Sequence, residues 1–193
     1  MCRSSSIVEE LKERCLSRSD RWTCCFFYCH SGNAASQLPA NVLGALLAQL
    51  CQIRPDMLSE IRPLLKSDNH LIPQSPLSIS DLARLLTAAL EPLPRCYVLV
   101  DALNETPHYR QIVSLLANLC HSCPNLRVLV TSTSDPPVKG KQLLIRQMSS
   151  SAVDHDIGVY IDHRLKSEPS FSGLSERIKR EIKRTIATGA HGM

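Results

Sequence analysis

Two short apolar runs with polar ends constrain this chain more than any other feature. Cys96-Tyr97-Val98-Leu99-Val100 leads into Asp101-Ala102-Leu103-Asn104-Glu105, and Arg127-Val128-Leu129-Val130 leads into Thr131-Ser132 about one helix later. Short Val- and Leu-rich runs separated by a helix-length segment read as buried parallel strands joined by a crossover helix. The first run delivers an acid at its carboxyl end and the second delivers hydroxyls. In open α/β sheets ligands bind at that edge. An acid at the tip of a buried strand is how phosphoryl-transfer proteins hold a magnesium ion. The pair of runs therefore points to a nucleotide-handling sheet.

The bulk properties fit one domain with a real core and a small appendage, since the chain has 193 residues. Its composition, 44% hydrophobic and 21% charged, is that of a globular protein. Aromatic residues make up only 4%, too few for stacking platforms that bind single-stranded nucleic acid. A net charge of +4 is a weak argument for a polyanionic partner. The start, Met1-Cys2-Arg3-Ser4-Ser5-Ser6, lacks the apolar core of a signal peptide. No run approaches the roughly 18 apolar residues of a membrane span. Nine cysteines, an odd number, then read as reduced, buried thiols in a cytoplasmic protein rather than a disulfide framework.

Periodicity supplies the remaining elements. Ser6 is placed to cap a helix carrying Ile7, Val8, Leu11 and Cys15, and Trp22 to Tyr28 reads as a buried strand. After a loop from His30 to Pro39, Val42, Leu43, Leu46, Leu47, Leu50 and Cys51 mark an amphipathic helix. A short helix is expected around Leu58, Ile61, Leu64 and Leu65, and a proline-rich loop from Ser67 to Ser78. Ser80 is expected to begin a helix bearing Leu82, Leu85, Leu86 and Ala89, which Pro92 and Pro94 end. A helix from about Tyr109 to His121 joins the two key strands, and Gln142 to Met148 is a candidate further strand. From Asp154 onward, Ile157, Tyr160, Ile161 and Leu165 line one helix, and Leu174, Ile178, Ile182 and Ile186 line another that Gly189 ends. The expected class is α/β: a parallel sheet with flanking helices, followed by a small helical appendage.

In this order the segments resemble the nucleotide-binding core of NACHT-type (STAND) signalling NTPases. The closest group is the nephrocystin-like N-terminal domain common in large fungal receptor-like proteins. Asp101-Ala102-Leu103-Asn104-Glu105 is similar to that family's Walker B pattern, an apolar strand ending in D-(A/G)-L-D-E, and Val130-Thr131-Ser132 to its V-T-S-R-P sensor strand. Phe26-Phe27-Tyr28 and Asn41 to Gln49 resemble its second strand and L-x-x-L-L-x-Q-L helix. Asp156-Ile157-x-x-Tyr160-Ile161 resembles its D-I-x-x-Y-V helix, and Gly192-Met193 the G-M opening the next one. The resemblance divides the chain into an incomplete P-loop NTPase-like core over 1–150 and the start of a helical subdomain over 151–193.

The P-loop pattern G-x-x-x-x-G-K-[ST] does not occur in this sequence, whose single Gly-Lys pair is Gly140-Lys141. By alignment of pattern, the loop and its strand are expected before Met1. The resemblance places that strand between the Walker B and sensor strands, which must then pair directly or flank a gap. Unpaired buried backbone groups cost roughly 1–3 kcal/mol each, so a gap implies poor stability.

Carried over residue by residue, the resemblance assigns Asp101 to a magnesium ion held through water, beside the phosphates of ATP or GTP. Glu105 becomes the general base that orients the attacking water. Position 104 is Asn where the pattern has Asp, and Asn cannot accept a proton at neutral pH. Thr131 and Ser132 are candidates for sensing the γ-phosphate, and the arginine expected next is Thr133. Cys24, Cys25, Cys29 and His30, like Cys120-x-x-Cys123 with His121, read as buried thiols rather than zinc knuckles, because Cys24 and Cys25 alternate faces of a strand. Arg177, Lys179, Arg180, Lys183 and Arg184 read as the solvated face of an amphipathic helix. No Ser-His hydrolase motif is present.

Two functions remain open. One is a truncated or degenerate nucleotide-dependent switch that does not hydrolyse ATP on its own. The other is a non-catalytic scaffold whose sheet edge and helices pair with another chain, such as a longer relative or a second copy. Neither calls for a membrane or nucleic acid.

Overall fold

The computed structural model describes residues 3–17, 22–59, 77–133, 144–146 and 150–190. The chain divides into two units, Met1–Lys139 and Gly140–Met193.

The first unit is built on a parallel sheet of three strands, β1 (Thr23–Tyr28), β2 (Cys96–Asp101) and β3 (Leu126–Val130), in the order β1-β2-β3. Tyr28 stands beside Asp101, and Val100 beside Val130. The uninterrupted apolar run of β2 suits its central place: Cys96, Leu99 and Val100 are fully buried. β2 and β3 pair directly, so the expected gap between them does not exist. Their backbone groups satisfy each other in register, and the argument for poor stability falls with the gap.

Helices cover the two faces unequally. α1 (Arg3–Leu16) packs against β1 and β2, with the Lys12 ammonium 4.5 Å from the centre of the Phe26 ring. α1 begins a turn earlier than the expected cap, leaving Ser6 inside the helix. Serine's helix propensity is only modestly unfavourable, so the polar turn before the apolar positions continues the helix. The opposite face carries the main core, from α2 (Pro39–Ile53), α3 (Ile79–Leu90) and α4 (Tyr109–Ser122). Leu43, Leu46 and Leu50 of α2, Leu85 and Leu86 of α3 and Ile112 of α4 bury against Cys25, Val98 and Val100. α3 starts at Ile79 rather than Ser80, because Ser78 and Asp81 form a reciprocal capping box. Residues 57–59 are helical, and the rest of the helix expected there lies outside the described residues. So does most of the candidate strand at Gln142 to Met148, whose described part, 144–146, has no regular structure.

The two edges of the sheet differ. At β1, the Gln49 side chain of α2 acts as a short substitute strand: its amide donates to the Phe26 carbonyl at 2.8 Å, and its oxygen accepts the Phe26 N–H at 3.0 Å. At β3, no strand among the described residues pairs with the outer side, and Leu129 is 43% exposed.

The second unit contains α5 (Ser150–Ser167) and α6 (Glu176–Ala190). Ile161 and Leu165 are buried, whereas Tyr160, expected on the same face, is exposed. Lys183 of α6 pairs with Asp162 of α5 at 2.6 Å. Gly189 lies within α6, which continues to Ala190. Gly192 and Met193 lie outside the described residues. Among the described residues, no helix is long and apolar enough to cross a membrane.

Gln49 satisfies two backbone groups at once, which gives it a measurable role. Gln49→Ala is expected to lower stability in urea unfolding by roughly 1–3 kcal/mol, and Gln49→Glu, which keeps an acceptor but loses the donor, by part of that. An unchanged midpoint for Gln49→Ala would show that solvent replaces the side chain without cost.

Candidate functional site

The sheet brings the acid and the hydroxyl into contact. Thr131 follows the last residue of β3, and its N–H still donates to the Val100 carbonyl at 3.0 Å, which fixes its side chain beside the end of β2. The Thr131 hydroxyl donates to Asp101 Oδ1. Thr131 Oγ1 in turn accepts the Ala102 N–H at 3.0 Å. One hydroxyl thus holds both the carboxylate and the first peptide beyond it. The Leu103 N–H closes the junction by donating to the Thr131 carbonyl at 2.9 Å. Ala102 turns the chain here in the left-handed region, with φ of 54°, a conformation that costs a residue with a Cβ about 1–2 kcal/mol. Such strain persists where surrounding bonds over-determine it.

Beyond Ala102, a 3-10 turn from Leu103 to Glu105 presents the next two polar side chains. Asn104 Oδ1 accepts the Thr133 N–H at 3.0 Å, and Asn104 Nδ2 lies 3.4 Å from Glu105 Oε1. The residue that breaks the acidic pattern therefore has its own task, tying the turn after β3 to the turn after β2. Glu105 Oε2 accepts the Ser31 N–H at 3.2 Å from the loop after β1. Hydrogen bonding from Ser31, by its side chain first and then its backbone, with the neighbouring His30 as a smaller cause, holds the Glu105 carboxyl below its usual range. Ser132 lies exposed one residue past Thr131.

Cys29 is buried close to both carboxylates. Burial first, and then the negative charge of Asp101 and Glu105, push its thiol up to about 11. Cys24 is pushed up to about 12, chiefly by burial. These thiols are neutral, inert groups at physiological pH. Among the described residues, no cluster of three or more His, Cys, Asp or Glu side chains is arranged to hold a metal ion.

Asp101 is an oxygen donor of the kind magnesium takes, an ion that keeps several waters and needs only one or two carboxylates when phosphates supply the rest. Thr131 takes one carboxylate oxygen, and no described side chain donates to Asp101 Oδ2. The phosphates have less to hold them. The sequence lacks a glycine-rich cradle, and the Thr131 hydroxyl proton is already committed to Asp101. The structure thus brings Asp101, Glu105 and Thr131 to one edge. It also adds Ser31, which motif reading passed over, and gives Asn104 a bond to the Thr133 N–H.

A family model described as Nephrocystin 3, N-terminal matches residues 2–133, a span that contains all three strands and the whole of this edge. No curated protein and no solved structure matches the chain.

Thr131→Val is expected to cost roughly 1–3 kcal/mol in chemical unfolding, because it leaves the Ala102 N–H and Asp101 without their shared partner; Thr131→Ser restores most of it. Equal stability of the valine and serine variants would show that the hydroxyl is not used. The Cys29 thiol sets a pH dependence of known sign. It ionises near 9.0 when unfolded and near 11 when folded, so its contribution to stability is fully present below pH 9 and is lost as pH rises through 11. Unfolding midpoints measured from pH 8 to 11 are expected to fall less steeply in Cys29→Ala than in the natural chain.

Proposed function

The chain belongs to the nephrocystin 3 N-terminal family, and on that premise we propose that it is a cytoplasmic, nucleotide-responsive signalling module that does not hydrolyse ATP by itself. The observation that carries this reading is the Asp101–Thr131 contact, which joins the tips of two parallel strands, one of them central and buried, at the edge where such sheets receive ligands. In this reading Asp101 Oδ2 faces magnesium through water, and Thr131 and Ser132 lie beside the terminal phosphate of ATP or GTP. A bound magnesium-nucleotide supplies concentrated charge, and its presence or absence biases how partner surfaces pack.

Hydrolysis is disfavoured by the state of the only acid left to act as base. Glu105 is held ionised below its usual range, and a carboxylate of lowered pKa is a weaker base. Its oxygens are also occupied by Ser31 and Asn104.

A second reading, a protein-interaction scaffold, is favoured by the outer edge of β3. Backbone alternation turns the N–H and C=O of Val128 and Val130 outward there, since Asn125 and Thr131 bond toward β2. An unpaired apolar edge is a template for another chain, including a longer relative or a second copy.

Thermal unfolding separates the two. On the nucleotide reading, millimolar ATP or GTP with magnesium raises the midpoint by a few degrees, Asp101→Ala abolishes the rise, and phosphate release stays at the level of that variant. No rise with either nucleotide contradicts it. On the scaffold reading, self-association or capture of a longer relative is unchanged by Asp101→Ala and lost in Val128→Pro, which removes an outward N–H.

A further inference from the structure

The loop between β1 and α2 is a small self-bonded piece. The His30 N–H donates to Ser36 Oγ at 3.0 Å, and Ser36 Oγ donates to the Asn33 carbonyl at 2.8 Å. Gln37 Nε2 donates to the Ser31 carbonyl at 2.7 Å. The Gly32 N–H donates to His30 Nδ1 at 2.9 Å, and a Cβ at Gly32 would stand only 2.8 Å from the His30 ring. Bonded in this way, residues 30–37 form one hydrogen-bonded unit.

Three bonds join that body to the end of β2. The Cys29 N–H donates to the Asp101 carbonyl at 3.0 Å. Thr106, which is buried, donates its hydroxyl to the Gln37 carbonyl at 2.7 Å. The third is Ser31 to Glu105. The first two are neutral contacts at the ends of the loop. The third meets the loop near its start and has a charged acceptor, the Glu105 carboxylate of the candidate site.

We propose that Glu105 is a positioning residue that latches this loop, and that the loop reports the state of the site. The inference rests on the nucleotide reading of Asp101 and Glu105. Both Glu105 oxygens are engaged, one by Ser31 and one by Asn104. A magnesium-bound water donating to that carboxylate would draw it from Ser31 and free the loop. By linkage, the factor by which site occupancy weakens loop docking is the factor by which loop docking weakens occupancy. The loop runs directly into α2, whose leucines form the core, so release acts on the segment joining the site to the main helical layer.

The titratable groups around the latch are His30 on the loop, Cys29 at its base and Asp101 at the end of β2. Substitution is therefore made at constant pH.

Hydrogen exchange of residues 30–37 at pH 7 is the readout. Glu105→Ala is expected to speed exchange there about 3–10-fold while residues 43–50 of α2 are unchanged, with Glu105→Gln, a neutral acceptor, between the two. Magnesium with ATP is expected to speed the same segment in the natural chain and to add nothing in Glu105→Ala. Unchanged exchange in Glu105→Ala overturns the latch, as does a thermal shift with ATP that leaves loop exchange untouched. A chain that shows no thermal shift overturns the nucleotide reading and the coupling with it. The separate thermal readout tells the two failures apart.

Discussion

β2 is hydrogen-bonded along both sides, to β1 and to β3, and the candidate site depends on where that double pairing stops. The buried strand ends on a half-buried carboxylate, whose charge is cheaper to keep there with a hydrogen-bond partner. The strand next to it supplies one. Because Val100 lies beside Val130, the next residue on each strand, Asp101 and Thr131, also face each other, and the hydroxyl reaches the acid. The parallel register therefore does the chemical placement, and the loops only finish it.

The same constraint explains why the neighbouring turns are cross-tied. Ala102 takes a left-handed conformation that an alanine adopts only under restraint, and the restraint is the pair of bonds from Ala102 and Leu103 to Thr131. Asn104 then fastens the turn after β3, and Glu105 and Thr106 fasten the loop after β1. Three consecutive polar residues after one strand thus hold two neighbouring segments. An acidic pattern that looks like lost catalysis at position 104 is, in this chain, a structural joint.

Much of this was legible in the sequence and some was not, for physical reasons. β1, β2, β3, α2 and α4 are strongly patterned, so apolar runs and 3.6-residue spacing locate them within a residue or two. The candidates Asp101, Glu105 and Thr131 were visible because they sit at the ends of such runs. What pattern cannot show is a side chain bonding to distant backbone. Gln49 on Phe26, Asn104 on Thr133 and Glu105 on Ser31 join positions with no periodic relation. Helix starts failed similarly: Ser78, not Ser80, makes the capping box, and α1 extends through polar residues that carry no apolar signal. The pairing of β2 with β3 was one of two alternatives, and backbone satisfaction decided it.

The central claim is that Asp101 and Thr131 act as one unit joining two strands. A double-mutant cycle on unfolding free energy, with Asp101→Asn, Thr131→Val and the combination, tests it most directly. The account predicts an interaction energy of about 1.5–3 kcal/mol, as for a hydrogen bond to a charged partner. Strictly additive single effects would contradict it.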